Sequence, residues 1–195
     1  MLDLIVKKKQ MRREFLKKRS SIEQSVRSDA DKIICSQLVN ICVTELKPAL
    51  VGVYISDGTE VDIAEFISVM MLNGVTVCAP RFNPNSKTGE YEMVEITDLS
   101  KDLVLGHYDI MEPVDSCPTL DLQEYDNLVW LVPGVVFDEQ LGRLGRGKGV
   151  YDQMIESYKG VSIGVFYECQ KTVAVPMAHH DCRLNLVVTE KGLYR

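Results

Sequence analysis

Apolar positions along the chain follow two periods. From Ser20 to Leu46 they recur as Val26, Ala30, Ile33, Ile34, Leu38, Ile41 and Cys42, near the 3.6-residue period of an amphipathic helix. Ser20-Ser21-Ile22-Glu23 at its front has capping-box spacing, and Pro48 stops it. Ala49 to Ile55 is short, β-branched and followed by Ser56-Asp57-Gly58, so it reads as a buried strand ending in a turn. Ile63, Phe66, Ile67, Met70 and Met71 mark a second helix, closed by Asn73-Gly74. Val75 to Ala79 is a strand expected to end at Pro80, with a polar loop from Asn83 to Glu90 beyond it. Leu128 to Val132 and Val161 to Phe166 are further strands, separated by a glycine-rich segment and a short helix carrying Met154, Ile155 and Tyr158. The last strand is Leu184 to Val188. Strands alternating with helices predict an α/β fold: one domain over residues 1–195, three α/β/α layers and a largely parallel central sheet. Ligands in such folds bind beyond the carboxyl ends of the strands, which directs attention to the residues after Ile55, Pro80, Pro133 and Phe166.

Composition narrows the function classes. The longest apolar run, Leu128 to Phe137, spans ten residues and is broken by Pro133 and Gly134, whereas a membrane-spanning helix needs about 20. A net charge of -6 argues against a surface that embraces nucleic acid. The charge is uneven: Lys7 to Arg19 holds eight basic residues and one acid, while the remainder carries 14 basic and 27 acidic residues. This basic run follows apolar residues instead of preceding them and has no small-residue cleavage site, so a secretory signal is not expected. Glu14 and the helix that follows favour a structural segment over a transit peptide. Six cysteines without a C-x-x-C pair mostly stand in apolar stretches, as in a reducing, cytoplasmic setting. With three histidines, no zinc-ligand spacing is recognisable.

Chemistry concentrates in Pro133 to Asp152, where a strand ends and runs into a helix. Gly142, Gly145, Gly147 and Gly149 let backbone amides approach an anion, and Arg143, Arg146 and Lys148 set three positive charges among them. The following helix start adds free N–H groups. A polyphosphate uses all of these together; the alternative is a surface loop with solvating charges. Gly142-x-x-x-x-Gly147-Lys148 nearly meets the Walker A pattern, but Gly149 stands where a Ser or Thr is needed for magnesium. The alternate-position glycines also fail the dinucleotide fingerprint.

F-D-x-x-x-G-R-L-G-R-G-K-G-x-Y-D resembles the signature of the 5-formyltetrahydrofolate cyclo-ligase family, also called methenyltetrahydrofolate synthetases. The likeness extends to Lys8 with Arg12, to Ser56 through Asp62, to Ala79-Pro80-Arg81-Phe82, and to Tyr108 through Pro113. It continues through Val175-Pro176, His180-Asp181 and Val187 through Glu190. Two departures are Val150, where the family usually has a second aromatic residue, and Ile63, where it commonly has Thr.

The resemblance implies an ATP- and Mg2+-dependent conversion of 5-formyltetrahydrofolate into 5,10-methenyltetrahydrofolate. The formyl oxygen is phosphorylated to an iminophosphate before ring closure, giving ADP and phosphate. It further implies that Arg143, Leu144, Gly145, Arg146, Gly147, Lys148 and Gly149 cradle the triphosphate, with Arg146 and Lys148 acting on the transferred phosphoryl. Lys8 and Arg12, four apart on one helix face, reach the same phosphates. On the same resemblance Asp152 and Asp181 are expected to be magnesium ligands, with a helix cap and a turn residue as the structural alternatives. Glu60 is expected to anchor the donor groups of the pterin, Ile55 and Tyr108 to line its pocket, and Tyr151 to serve the nucleotide or folate side, with a place in the core as the alternative for Ile55 and the tyrosines. His107, His179 and His180 are expected to be surface or turn residues. The implied partner is the folate alone, with or without a polyglutamate tail, bound by a cytoplasmic monomer without membrane or nucleic acid. Beside this stand a non-catalytic nucleotide- or folate-binding module and a sugar-phosphate isomerase-like enzyme, the latter on fold alone.

Overall fold

The protein is described here from a computed structural model covering residues 2–83, 85, 91–106, 111–147, 149–179 and 181–195. It opens with α1 (Leu2–Ser20), α2 (Gln24–Asn40) extended by a π-helical turn (Ile41–Leu46), β1 (Leu50–Gly52) and α3 (Ala64–Leu72). There follow β2 (Thr76–Phe82), β3 (Tyr91–Glu95), β4 (Leu103–Leu105), β5 (Met111–Pro113) and β6 (Leu128–Val132). β7 (Val136–Asp138), β8 (Arg143–Leu144), α4 (Val150–Ser157), β9 (Val161–Val165), β10 (Lys171–Thr172), β11 (Leu186–Thr189) and β12 (Gly192–Tyr194) complete it. Among the described residues a seven-stranded sheet runs in the order β12-β11-β9-β6-β1-β2-β3. From β11 to β2 neighbouring strands pair in parallel, and the edge strands β12 and β3 are antiparallel.

The pleat explains the layers. Val51, Val77, Val129, Leu131, Ile163 and Val188 face Ile34 and Leu38 of α2 and Phe66 and Met70 of α3. Leu50, Cys78, Leu128, Trp130, Val132 and Val187 face the opposite way, onto Met154 of α4 with Ile155 and Tyr158. The expected three-layer arrangement is therefore present. Gly52 pairs with Trp130, and a β-carbon there would stand 2.4 Å from the indole ring, so the absence of a side chain lets Trp130 lie across β1. A third cluster forms where Phe15 of α1, with Met11 and Leu16, packs on Val135, Val136, Leu144 and Val175. It fixes α1 beside the carboxyl-terminal edge of the sheet.

Three details differ from the pattern-based expectation. Ser20 ends α1 instead of capping α2: its hydroxyl returns to the Leu16 carbonyl at 2.9 Å, that of Ser21 to the Lys18 carbonyl at 2.8 Å, and α2 starts only at Gln24, with no side-chain cap. Those hydroxyls satisfy carbonyls that the end of α1 leaves open. β2 does not stop at Pro80 but continues to Phe82, because its pairing with β1 ends at Cys78 and, among the described residues, the strand paired with it at Pro80 is β3 alone. The strand expected over Ala49 to Ile55 is reduced to Leu50–Gly52, with Val53 N still bonded to the Cys78 carbonyl at 2.8 Å. No helix among the described residues is long and apolar enough to cross a membrane.

Candidate active site

A cleft of about 1450 Å³ opens beyond the carboxyl ends of β1, β2 and β6. Of the residues just after Ile55, Pro80 and Pro133, only Gly134 borders it, while Ile55, Pro133 and Pro80, the last still within β2, line its wall themselves. The fourth position, after Phe166, lies deeper: Tyr167 is buried, its hydroxyl 2.6 Å from Asp31 Oδ1 and 3.3 Å from the Glu60 carbonyl oxygen. The cleft joins two chemically distinct halves, one basic and one built around a partly buried carboxylate.

The basic half is shaped by Asp138 at the end of β7. Its Oδ1 accepts from the amides of Gly142 (2.8 Å) and Gln140 (3.0 Å), and Oδ2 accepts from the Val175 amide at 2.7 Å. One buried carboxylate thus folds the entrance of the glycine-arginine loop and ties it to the segment leading to Asp181. Gly147 (φ 101°) and Gly149 (φ 71°) take backbone conformations that side chains disfavour, and Gly149 caps the start of α4. Gly145, Arg146, Gly147 and Gly149 border the cleft. Arg143 does so from within the wall: it is 5 % exposed, with Nη1 3.2 Å from the Pro133 carbonyl and Nη2 2.8 Å from Asp152 Oδ1. Lys148 lies outside the described residues.

The amino-terminal helix closes the other side. Arg12 Nε donates to the Gly145 carbonyl at 2.8 Å, and Lys8 pairs with Asp181, which also accepts from the Ala178 amide. Two basic segments separated by most of the chain therefore meet at one place. Burial lowers the Arg12 pKa and the nearby Asp181 charge opposes that.

The second half holds Glu60. Burial raises its pKa, against the charge and hydrogen bonding of Arg19. Arg19 is 1 % exposed; Nη1 donates to the Gly134 carbonyl at 3.1 Å and Nη2 to Thr59 Oγ1 at 2.7 Å. The same guanidinium lies 3.6 Å from Glu60 Oε1 and 3.7 Å from Asp57 Oδ2. Arg146 reaches this group as well, pairing with Asp57 and lying 3.5 Å from Glu60 Oε1. Tyr54 and Tyr151 border the same space, and burial, then the Glu60 charge, pushes both phenols upward. Ile55 is half-buried in the wall. Tyr108 falls outside the described residues, as do His107 and His180; His179 borders the cleft. Sequence patterns did not single out Arg19, Asp57 or Asp138. Arg19 is one cation in a run of eight, and Asp138 shows only as a letter of the loop motif.

A model of the 5-formyltetrahydrofolate cyclo-ligase family matches residues 5–190. The chain belongs to that family. It is 29 % identical over 197 residues to a probable 5-formyltetrahydrofolate cyclo-ligase of Schizosaccharomyces pombe, covering 91 % of this chain and 95 % of that one. It is 32 % identical over 148 residues to the 5-formyltetrahydrofolate cyclo-ligase of Escherichia coli (strain K12), covering 74 % and 79 %. The solution structure of the Aquifex aeolicus 5,10-methenyltetrahydrofolate synthetase superimposes with a TM-score of 0.79 at 27 % identity, over 96 % of this chain and 92 % of that one. Both basic segments, the acidic turn and Asp181 lie inside the region matched to the cyclo-ligase family. Of the two departures from the cyclo-ligase pattern, Val150 borders the cleft, whereas Ile63 is buried against the α2 and α3 core and is not among the lining residues.

Among the described residues no group of three or more His, Cys, Asp or Glu side chains is placed to hold a metal. Asp152 and Asp181 both border the cleft, each already paired with a cation, Arg143 and Lys8 respectively. This donor set does not suit a metal enclosed by protein alone. It does suit magnesium, which is commonly held by one or two carboxylates together with substrate phosphates.

Proposed function

We propose that the protein catalyses the ATP- and Mg2+-dependent closure of 5-formyltetrahydrofolate to 5,10-methenyltetrahydrofolate. The observation that carries this reading is the Arg12 Nε bond to the Gly145 carbonyl, which brings the basic helix onto the glycine-arginine loop in the cleft that also contains the partly buried Glu60 carboxylate. A volume of about 1450 Å³ exceeds the roughly 300–1000 Å³ of a site for one small molecule and accommodates a nucleotide beside a folate.

In this reading Lys8, Arg12, Arg146 and Lys148, with the amides of Gly145, Gly147 and Gly149, neutralise and position the triphosphate. Leu144 backs the loop, and Arg143 braces it against β6 and orients Asp152. Asp152 and Asp181 would hold magnesium, which when bound offsets phosphate charge. Glu60 accepts from the pterin donor groups, and Ile55, Tyr108 and Tyr151 enclose the ring. The formyl oxygen attacks the γ-phosphorus and ADP leaves. N10 then adds to the activated formyl carbon, its proton is lost, and phosphate departs as the C–N bond system forms. Such a reaction depends mainly on alignment and on neutralising phosphoryl charge. The same reading takes the protein as a cytoplasmic monomer acting on the folate with or without a polyglutamate tail.

The test is to mix folded protein with 5-formyltetrahydrofolate, ATP and Mg2+ and follow the methenyl absorbance in the near ultraviolet. Its growth, dependent on both ATP and Mg2+, is expected; its absence overturns the reading. Arg146→Ala should reduce turnover through a raised KM for ATP.

A further inference from the structure

Arg146 belongs to the glycine-arginine loop, yet its guanidinium is spent on the opposite half of the cleft. It pairs with Asp57 and lies 3.5 Å from Glu60 Oε1. Asp57 is built to receive it. Its Oδ1 is occupied by the turn, accepting from Thr59 N (2.9 Å), Thr59 Oγ1 (2.8 Å) and Glu60 N (3.0 Å), which leaves Oδ2 facing the two guanidinium groups. Arg19 and Arg146 balance Asp57 and Glu60 charge for charge. Arg19 is buried at 1 % exposure, whereas Arg146 is 43 % exposed and stands on a loop flanked by glycines. Of the two cations, Arg146 is the one able to leave.

We infer that Asp57 is a positioning residue that couples the two halves of the cleft by sharing Arg146 with the nucleotide phosphates. This rests on the reading of the loop as the phosphate site. An anion in the loop draws Arg146 away and uncovers the Asp57 and Glu60 carboxylates for the donor groups of the folate. Donor groups engaging Glu60 in turn loosen Arg146 for the phosphates. Coupling of this kind is reciprocal, each ligand raising the affinity of the other by the same factor.

The test measures binding by calorimetry, using the intact chain, a non-hydrolysable ATP analogue with Mg2+, and 5-formyltetrahydrofolate. In the unaltered protein the folate should tighten analogue binding about 5-fold, the upper range for one half-exposed ion pair. Asp57→Asn retains an oxygen for the turn donors and removes the charge. It should bind the analogue alone about 5-fold more tightly, with the effect of the folate falling toward none. Arg146→Gln leaves the acidic turn intact; it should weaken analogue binding and abolish any further effect of Asp57→Asn in the double variant. Unaltered analogue affinity in Asp57→Asn, or absence of coupling in the unaltered protein, overturns the inference. If Arg146→Gln weakens the analogue while Asp57→Asn is silent, only the coupling is wrong. If Arg146→Gln also leaves analogue affinity unchanged, the assignment of Arg146 to the phosphate site falls with it.

Discussion

Asp138 offers the sharpest test of how the loop is built. Asn has nearly the same shape, but its amide can present an oxygen to only one side. If the oxygen stays toward Gly142 and Gln140, the NH2 group confronts the Val175 amide, now 2.7 Å from Oδ2, donor against donor. If it turns the other way, two amides lose their acceptor. A hydrogen bond to an ionised group contributes about 1.5–3 kcal/mol, and a buried donor left unpaired costs about 1–3 kcal/mol. Asp138 is 3 % exposed, so solvent cannot replace the lost partner. Asp138→Asn is therefore expected to lose about 2–4 kcal/mol. With a urea dependence of about 2 kcal/mol per M, the middle of the usual range, this lowers the unfolding midpoint by roughly 1–2 M. Because the lost bond joins β7 to the segment carrying Asp181, nucleotide affinity should also fall under conditions where the variant is fully folded. A midpoint within about 0.3 M of the unaltered protein, worth only about 0.6 kcal/mol at that dependence, would show that Asp138 does not hold the loop.

Three further outcomes follow from the same geometry. Gly52→Ala places a methyl group 2.4 Å from the Trp130 ring and should destabilise by about 1–3 kcal/mol; thermal unfolding reads the loss, and shortening Trp130 to Leu in the same chain should recover part of it. Burial raises the Glu60 pKa even against Arg19, so the KM for 5-formyltetrahydrofolate should climb as pH falls through a value above the ordinary glutamate pKa of about 4.3, and Glu60→Gln should flatten that limb. For stability the sign is opposite to that of an acid whose pKa is lowered on folding: the folded protein holds this proton more tightly than the unfolded chain, so the contribution of Glu60 to stability falls as pH rises across the same interval. A thiol reagent at mildly alkaline pH should label the exposed Cys169 first and leave Cys35 and Cys42 silent until unfolding, because burial pushes those thiols up to about 11 and about 12; rapid labelling of either would contradict the packing of α2 on the sheet.

The layers were legible in the chain because burial imposes periodicity. Ala30, Ile34, Leu38, Ile41 and Cys42 repeat as the buried face of a helix, although Val26 and Ile33 of the same pattern are exposed, and Leu128–Val132 is a continuous apolar run because both faces of β6 are covered. What escaped was structure too short to show a period, or lying at the surface. β7, β8 and β10 form a small sheet of two- and three-residue strands, and the β4 and β5 pairing lies on exposed Leu105 and Met111. The end of β2 was misplaced for a related reason: a proline forbids a ladder bond only where a neighbouring strand asks for one, and that depends on the length of β1.

The site divides along the same line. Cations announce a phosphate site by their density, and the motif around Arg143, Arg146 and Lys148 could be read directly. Which cation faces which ligand could not. Arg143, indistinguishable in the motif from Arg146, is locked between the Pro133 carbonyl and Asp152, while Arg146 crosses to Asp57. Arg19, at the end of the basic helix, is buried among acids and holds the carboxylate half of the cleft. The basic run therefore spans the whole cleft, with Lys8 and Arg12 toward the proposed phosphates and Arg19 toward the proposed pterin. A buried guanidinium within 4 Å of two carboxylates is strongly destabilising to orphan. The geometry of the folate end thus depends on the same helix that closes the nucleotide end, and a displacement of α1 must be felt at both.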